Sequence, residues 1–179
     1  VSRIQYRSRP RPADVARLER LVASTGVFYR EERAIARELL EERLRRGARS
    51  GYLFFFAERE GELVGYCAWG QVPLTRASYD LYWIAVAPSC QGQGIGRALL
   101  ERTERAVAAR GGGGLYIETS SRTVYAPTRR FYRGAGYAQA AKLRDFYAPG
   151  DDKVVFRKVV QAARRPVDRR PKAPRRRAL

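Results

Sequence analysis

No histidine occurs among the 179 residues of this chain. Its absence removes the base on which Ser-His-Asp and Cys-His nucleophilic schemes depend. With cysteine limited to Cys67 and Cys90, it also leaves too few nitrogen and sulfur ligands for a zinc enzyme. Proton transfer must then use carboxylates, tyrosines, water or the backbone. Two cysteines cannot form a disulfide framework, which fits a reducing cytoplasm. Cys90 has no neighbouring base to make its thiolate and reads as a small loop residue. Methionine is missing too, and with Val1 first the position of the natural start is left open. Long apolar runs are lacking: none, residues 53–57 included, approaches the roughly 20 residues that span a bilayer. No secretory signal or anchor motif is visible, so no membrane partner is expected.

Acidic residues are scarce. Against 36 Lys and Arg stand 18 Asp and Glu, a net charge of +18. Such an excess favours polyanionic partners, from nucleic acid or ribosomes to a phosphate-rich cofactor. Arginine greatly outnumbers lysine, as in chains from GC-rich genomes, and arginines spread over helix faces are usually solvated. Nucleic acid therefore remains the lesser reading, resting mainly on the Arg- and Pro-rich residues 161–179, which have no apolar face and read as a disordered tail. Residues 1–160 suit one domain with a substantial core.

What the chain does contain is organised around residues 80–110, DLYWIAVAPSCQGQGIGRALLERTERAVAAR. An apolar strand, residues 79–86, runs through a glycine-rich turn into a long amphipathic helix. Its apolar face is Ile95, Ala98, Leu99, Ala106 and Val107. Gly92, Gly94 and Gly96 remove side chains where backbone must approach a ligand, and the free N–H groups of the first helical turn then face it with the positive end of the helix dipole. The junction is thus suited to phosphate. A P-loop is excluded because Gly94 is followed by Ile95-Gly96-Arg97, with neither lysine nor hydroxyl. A dinucleotide fingerprint also fails, since its third glycine would fall on Arg97 or Leu99.

The surrounding elements read in order as a short strand over residues 4–7 and a helix over 12–25 with Val15, Leu18, Leu21 and Val22 buried. A second helix near 31–46 buries Ile35, Leu39, Leu40 and Leu44. Strands over 52–59 and 62–71 turn at Glu60-Gly61 as a hairpin. Residues 115–120 form a strand that must lie parallel to 79–86, because a helix joins them. A helix opens at Pro127 and closes at Gly136, and strands over 138–147 and 153–160 make a terminal hairpin.

Gln91-Gly92-Gln93-Gly94-Ile95-Gly96 matches Gln/Arg-x-x-Gly-x-Gly/Ala, with Val86-Ala87-Pro88 just upstream. Further on, Phe131-Tyr132 and Gly136-Tyr137 stand in register with a second pattern, Asn-x-x-Ala-x-x-Phe-Tyr-x-x-x-Gly-Phe. Two motifs in this order, separated by a strand and followed by a hairpin, resemble the GNAT superfamily of N-acetyltransferases. Tyr125 and Thr128 depart from the second pattern, so a side-chain amide contact to coenzyme A does not carry over.

The resemblance implies an α/β GNAT fold: a mixed central sheet, parallel strands 4 and 5 splayed apart, and about four flanking helices. It implies acetyl-CoA as cosubstrate, no metal, and direct transfer to a primary amine of a small molecule, amino acid or protein; a homodimer is compatible with it. The pyrophosphate would lie on the amides of Gln91, Gly92, Gln93, Gly94, Ile95, Gly96 and Arg97, with the Arg97 or Arg129 side chain adding charge. The pantetheine arm would follow Ile84, Ala85 and Val86, beside Tyr125 and Tyr132, and the Val86 N–H would stabilise the oxyanion. Tyr132 resembles the tyrosine that protonates the departing thiolate. Glu118 resembles the strand carboxylate of protein N-terminal acetyltransferases, and Asp80 stands where histone-type members place a glutamate; either would be the base. Residues 27–30 would border the acceptor entrance. A non-catalytic CoA-binding or RNA-associated protein of the same fold is the alternative.

Overall fold

The computed structural model describes residues 3–163. Seven strands form one sheet: β1 (Gln5–Arg7), β2 (Leu53–Arg59), β3 (Glu62–Gln71), β4 (Ser78–Val86), β5 (Gly113–Ser120), β6 (Ala138–Ala148) and β7 (Asp151–Val160), in the spatial order β1-β2-β3-β4-β5-β7-β6. Four α-helices cover it: α1 (Asp14–Ser24), α2 (Arg30–Arg46), α3 (Ile95–Ala109) and α4 (Ala126–Gly134). This is the GNAT fold that the motifs imply. Residues 164–179, most of the expected tail, lie outside the described residues.

The hairpin β2–β3 is closed by Glu60 and Gly61, both at positive φ (50° and 83°), the turn whose twist matches paired strands. β3 is buried along all but its two end residues, because helices lie on both of its faces. On one face Cys67 and Trp69 join Leu99, Leu100 and Val107 of α3; on the other Tyr66 and Ala68 join Leu18 and Val22 of α1 and Leu40 of α2.

Two local readings need correction. Helix α1 begins at Asp14 instead of residue 12, because the Asp14 carboxylate accepts the N–H of Arg11 (2.7 Å) and is fully buried against Arg7. In α2, Ile35 is 50% exposed, and Ala36 occupies the buried face in its place. A small residue there lets the helix approach α1.

The sheet's central feature is a fork. Ser78–Leu81 of β4 pair with Gly114–Ile117 of β5, after which the two strands part. The cause lies in β4: Ala68 faces Trp83 while Trp69 faces Leu81, so Tyr82 is an extra residue. Such a bulge bends and twists its strand, while β5 stays paired to β7 as far as Ser120. The bulge also turns both Tyr82 and Trp83 toward the α1–α2 face.

Candidate active site

Main-chain groups left open by the fork form the first part of the site. Along an antiparallel strand, N–H groups point alternately to either side. Ala87 N–H donates to the Val64 carbonyl of β3 (2.9 Å), and Val86 and Ala85 face Gly65 and Tyr66. Ala85 N–H therefore points to β3, and the N–H groups of Ile84 and Val86 point into the gap. An extended ligand can bond there as an added strand would.

The turn after β4 supplies a second set of donors. Among the described residues, no acceptor faces the N–H groups of residues 92–97; the first helical bond is Ala98 N–H to the Gly94 carbonyl (2.9 Å). Gly92 and Gly94 lie at φ 72° and 81°, which only glycine adopts without strain. Side chains hold the turn in place. The Gln91 amide donates to the Val86 carbonyl (3.2 Å) and the Gln93 amide to the Ser89 carbonyl (3.0 Å), while Arg59 reaches the Gln93 side-chain oxygen. The Arg97 guanidinium is engaged elsewhere, with Glu101 (2.9 Å) and the Gly134 carbonyl (3.0 Å). Arg129 bonds the Ser120 and Arg122 carbonyls and ties α4 to the end of β5.

A cavity of about 610 Å³ fills the fork and is lined from both sides of it. Val86, Gln91, Thr128 and Tyr132 line one side; Phe28, Tyr29, Trp83 and Glu118 line the other. Tyr132 is 4% exposed and wedged among Phe131, Tyr137 and Phe156. Burial, with a smaller effect of Cys67, holds its phenol well above the ordinary tyrosine range. Tyr125 borders the cavity under Arg122, its phenol pushed up to about 12 by burial and the charge of Glu32.

Of the two candidate carboxylates, Glu118 lines the cavity at the fork, half-exposed and paired with Lys153 (2.6 Å). Asp80 pairs across the strands with Tyr116, just before the parting. Burial and the nearby Glu118 charge raise its carboxyl, against the pull of Lys153. The two are therefore neighbours, but only Glu118 faces the opening.

Of residues 27–30, Val27, Phe28 and Tyr29 border the cavity. Sequence reasoning missed Trp83, Glu32, Arg122, Tyr147 and Asp151. Trp83 is brought there by the bulge, which no motif announces. Arg122 bonds the Tyr29 hydroxyl, lies over that ring (4.6 Å to its centre) and approaches Asp151 (3.4 Å), joining the start of α2 to β7.

Fold and site together define a protein able to receive a phosphate-bearing, extended ligand along open main-chain donors that lead to a buried tyrosine. Residues 50–139 match the family model of the acetyltransferase (GNAT) domain. The [Ribosomal protein bS18]-alanine N-acetyltransferase of Escherichia coli K12 is 32% identical over 126 residues, covering 70% of this chain and 82% of that protein. An N-alpha-acetyltransferase of Sulfurisphaera tokodaii is 32% identical over 109 residues, 55% of this chain; the chain spans 64% of that relative's length. A crystal structure from Desulfovibrio desulfuricans, assigned to the GNAT acetyltransferases, superposes with a TM-score of 0.87 at 46% identity, covering 88% of this chain and 99% of that one. The chain belongs to the GNAT family of acetyl-CoA-dependent acyltransferases.

Proposed function

We propose that this enzyme passes the acetyl group of acetyl-CoA directly to a primary amine bound beside it in a ternary complex. The observation that carries the reading is the continuity of unbonded main-chain donors, from residues 92–97 to Val86 and Ile84, ending near Tyr132. The turn fits a pyrophosphate, and the two strand N–H groups fit the pantetheine arm. Acetyl-CoA supplies a thioester whose carbonyl carbon is open to an amine, so the chain needs no nucleophile of its own.

An amine arrives mostly as ammonium, with a pKa of about 10.4 for a lysine-type group and about 8 for an α-amino group. Glu118, facing the cavity, takes that proton through water, and Asp80 keeps a second negative charge beside it. The amine lone pair then forms the C–N bond while the Val86 N–H faces the carbonyl oxygen on which charge develops. As the C–S bond breaks, its electrons go to sulfur and Tyr132 supplies the proton, while the second proton leaves the new amide nitrogen and returns through water to the Tyr132 phenolate. A phenol held above its ordinary range stays protonated at neutral pH, as an acid must. The free thiols of Cys67 and Cys90 suit a reducing cytoplasm.

Release of thiol from acetyl-CoA, measured with a panel of amines, tests this reading. Amine-dependent release supports it. Binding of CoA with no release from any amine would instead put the chain among non-catalytic CoA-binding proteins.

A further inference from the structure

The acceptor side of the cavity is acidic in a chain of net charge +18. Glu32, Glu118 and Asp151 line it, and Asp80 lies behind Glu118. They come from α2, β5, β7 and β4, so no single element explains their meeting. Tyr147, which also lines this side, registers the convergence: burial raises its phenol, and Glu118, Asp151 and Glu32 all add to the rise. Among the described residues, the cations paired with the group are Lys153 on Glu118 and Arg122 near Asp151. Four carboxylates against two cations leave the chamber negative.

The remaining walls are aromatic. Phe28 lies against Trp83 with ring centres 4.8 Å apart, and Tyr82 meets Tyr52 edge-on at 5.5 Å. The Trp83 indole N–H is buried and has no acceptor among the described residues. Aromatic faces attract ammonium groups and accept apolar bodies. A carboxylate placed among like charges, partly removed from water, is repelled, and such repulsion is how a site rejects a near-isostere.

Resting on the acetyl-transfer reading above, we propose that the acceptor is a cationic amine with an apolar or aromatic body and no carboxylate beside the reacting nitrogen. Free α-amino acids are thereby disfavoured as substrates. The discriminating element is the negative charge gathered at Glu32, Asp80, Glu118 and Asp151, and the aromatic walls hold the rest of the molecule.

Calorimetry on the CoA-bound protein tests this with matched compounds: phenethylamine, phenylalaninamide and phenylalanine, then tyramine and tyrosine. The carboxylate-free members should bind at least tenfold tighter than their amino acids, with phenylalaninamide grouping with phenethylamine. The gap should narrow several-fold in Glu118→Gln, whose unchanged CoA titration shows that it is folded, and should narrow in high salt. Equal or tighter binding of phenylalanine and tyrosine would overturn the inference. Thiol release from acetyl-CoA, measured separately with the same amines, distinguishes the two readings: no release despite the expected ranking defeats acetyl transfer alone, whereas release with amino acids preferred defeats only this selectivity.

Discussion

The two sides of the cavity are built from different materials. Beneath α3 and α4 the ligand-facing groups are main-chain amides, aimed by glycines at positive φ and by a bulged strand that parts from its neighbour. Beneath α1, α2 and the end of β7 they are side chains, from Phe28 to Asp151. A site made of backbone depends on conformation, and a contiguous stretch of sequence can secure that. One made of side chains depends on tertiary packing, and it can change its chemistry without disturbing the other.

The sharpest way to break this division is Tyr132→Phe. It should lower kcat by about 10²-fold or more while the affinity for acetyl-CoA, measured by calorimetry, stays within a few fold. Comparable loss in both would make Tyr132 a packing residue among Phe131, Tyr137 and Phe156. A similar loss of turnover, about 10²-fold, is expected for Glu118→Gln, with Asp80→Asn within about fivefold of wild type. Should the order reverse, the base is Asp80. The acid limb of kcat/KM would then lie above the ordinary aspartate pKa of about 3.9, because burial and Glu118 hold the Asp80 carboxyl up.

The support beneath the acceptor side can be tested separately. Asp14, fully buried, takes both guanidinium nitrogens of Arg7 (2.8 and 2.5 Å), and Glu58 joins Arg7 and Arg17. Asp14→Ala leaves Arg7 without its main partner and should cost about 3–5 kcal/mol in urea denaturation. Burial pushes the Glu58 carboxyl up, but hydrogen bonds from Arg7 and Arg17 outweigh it and hold the group below the ordinary range. Its contribution is therefore complete above the unfolded glutamate pKa of about 4.3 and is lost as pH falls through the lower folded value. Denaturation midpoints should drop in that acid window, and less so in Glu58→Gln.

Smaller effects come from single backbone and surface positions. Gly94→Val forces a branched residue to φ 81° at a cost of about 1–3 kcal/mol. Acetyl-CoA affinity should fall roughly tenfold while the ranking of amines is preserved. At the low end, Ile35→Gln should change stability by no more than about 0.5 kcal/mol, since the side chain is half-exposed.

How far the chain could be read follows from the same division. Gly92 and Gly94 declare their purpose in sequence because no other residue takes their φ cheaply, and residues 79–86 with 115–120 had to lie parallel once a helix was seen to join them. The fork was implied by family resemblance; its physical cause, the extra residue Tyr82, has no sequence signature. Ile35 was misplaced because helical periodicity fixes a stripe only to within a residue, and the fit of Ala36 against α1 decided the rotation. Arg97 promised charge for a phosphate, yet Glu101 one turn away and the Gly134 carbonyl claim its guanidinium. The acceptor wall was opaque for a further reason. Glu32, Arg122, Tyr147 and Asp151 lie up to more than a hundred residues apart and meet only when α2, β6 and β7 close on the fork.

The most direct test is a titration of ¹⁵N-labelled protein with acetyl-CoA, followed through its backbone amide resonances. The account predicts that the N–H signals of Ile84, Val86 and residues 92–97 shift and gain protection from exchange, while Ala85 and Ala87, bonded to β3, keep theirs. Saturating acetyl-CoA that left residues 92–97 unmoved, or moved only side-chain signals elsewhere, would contradict it.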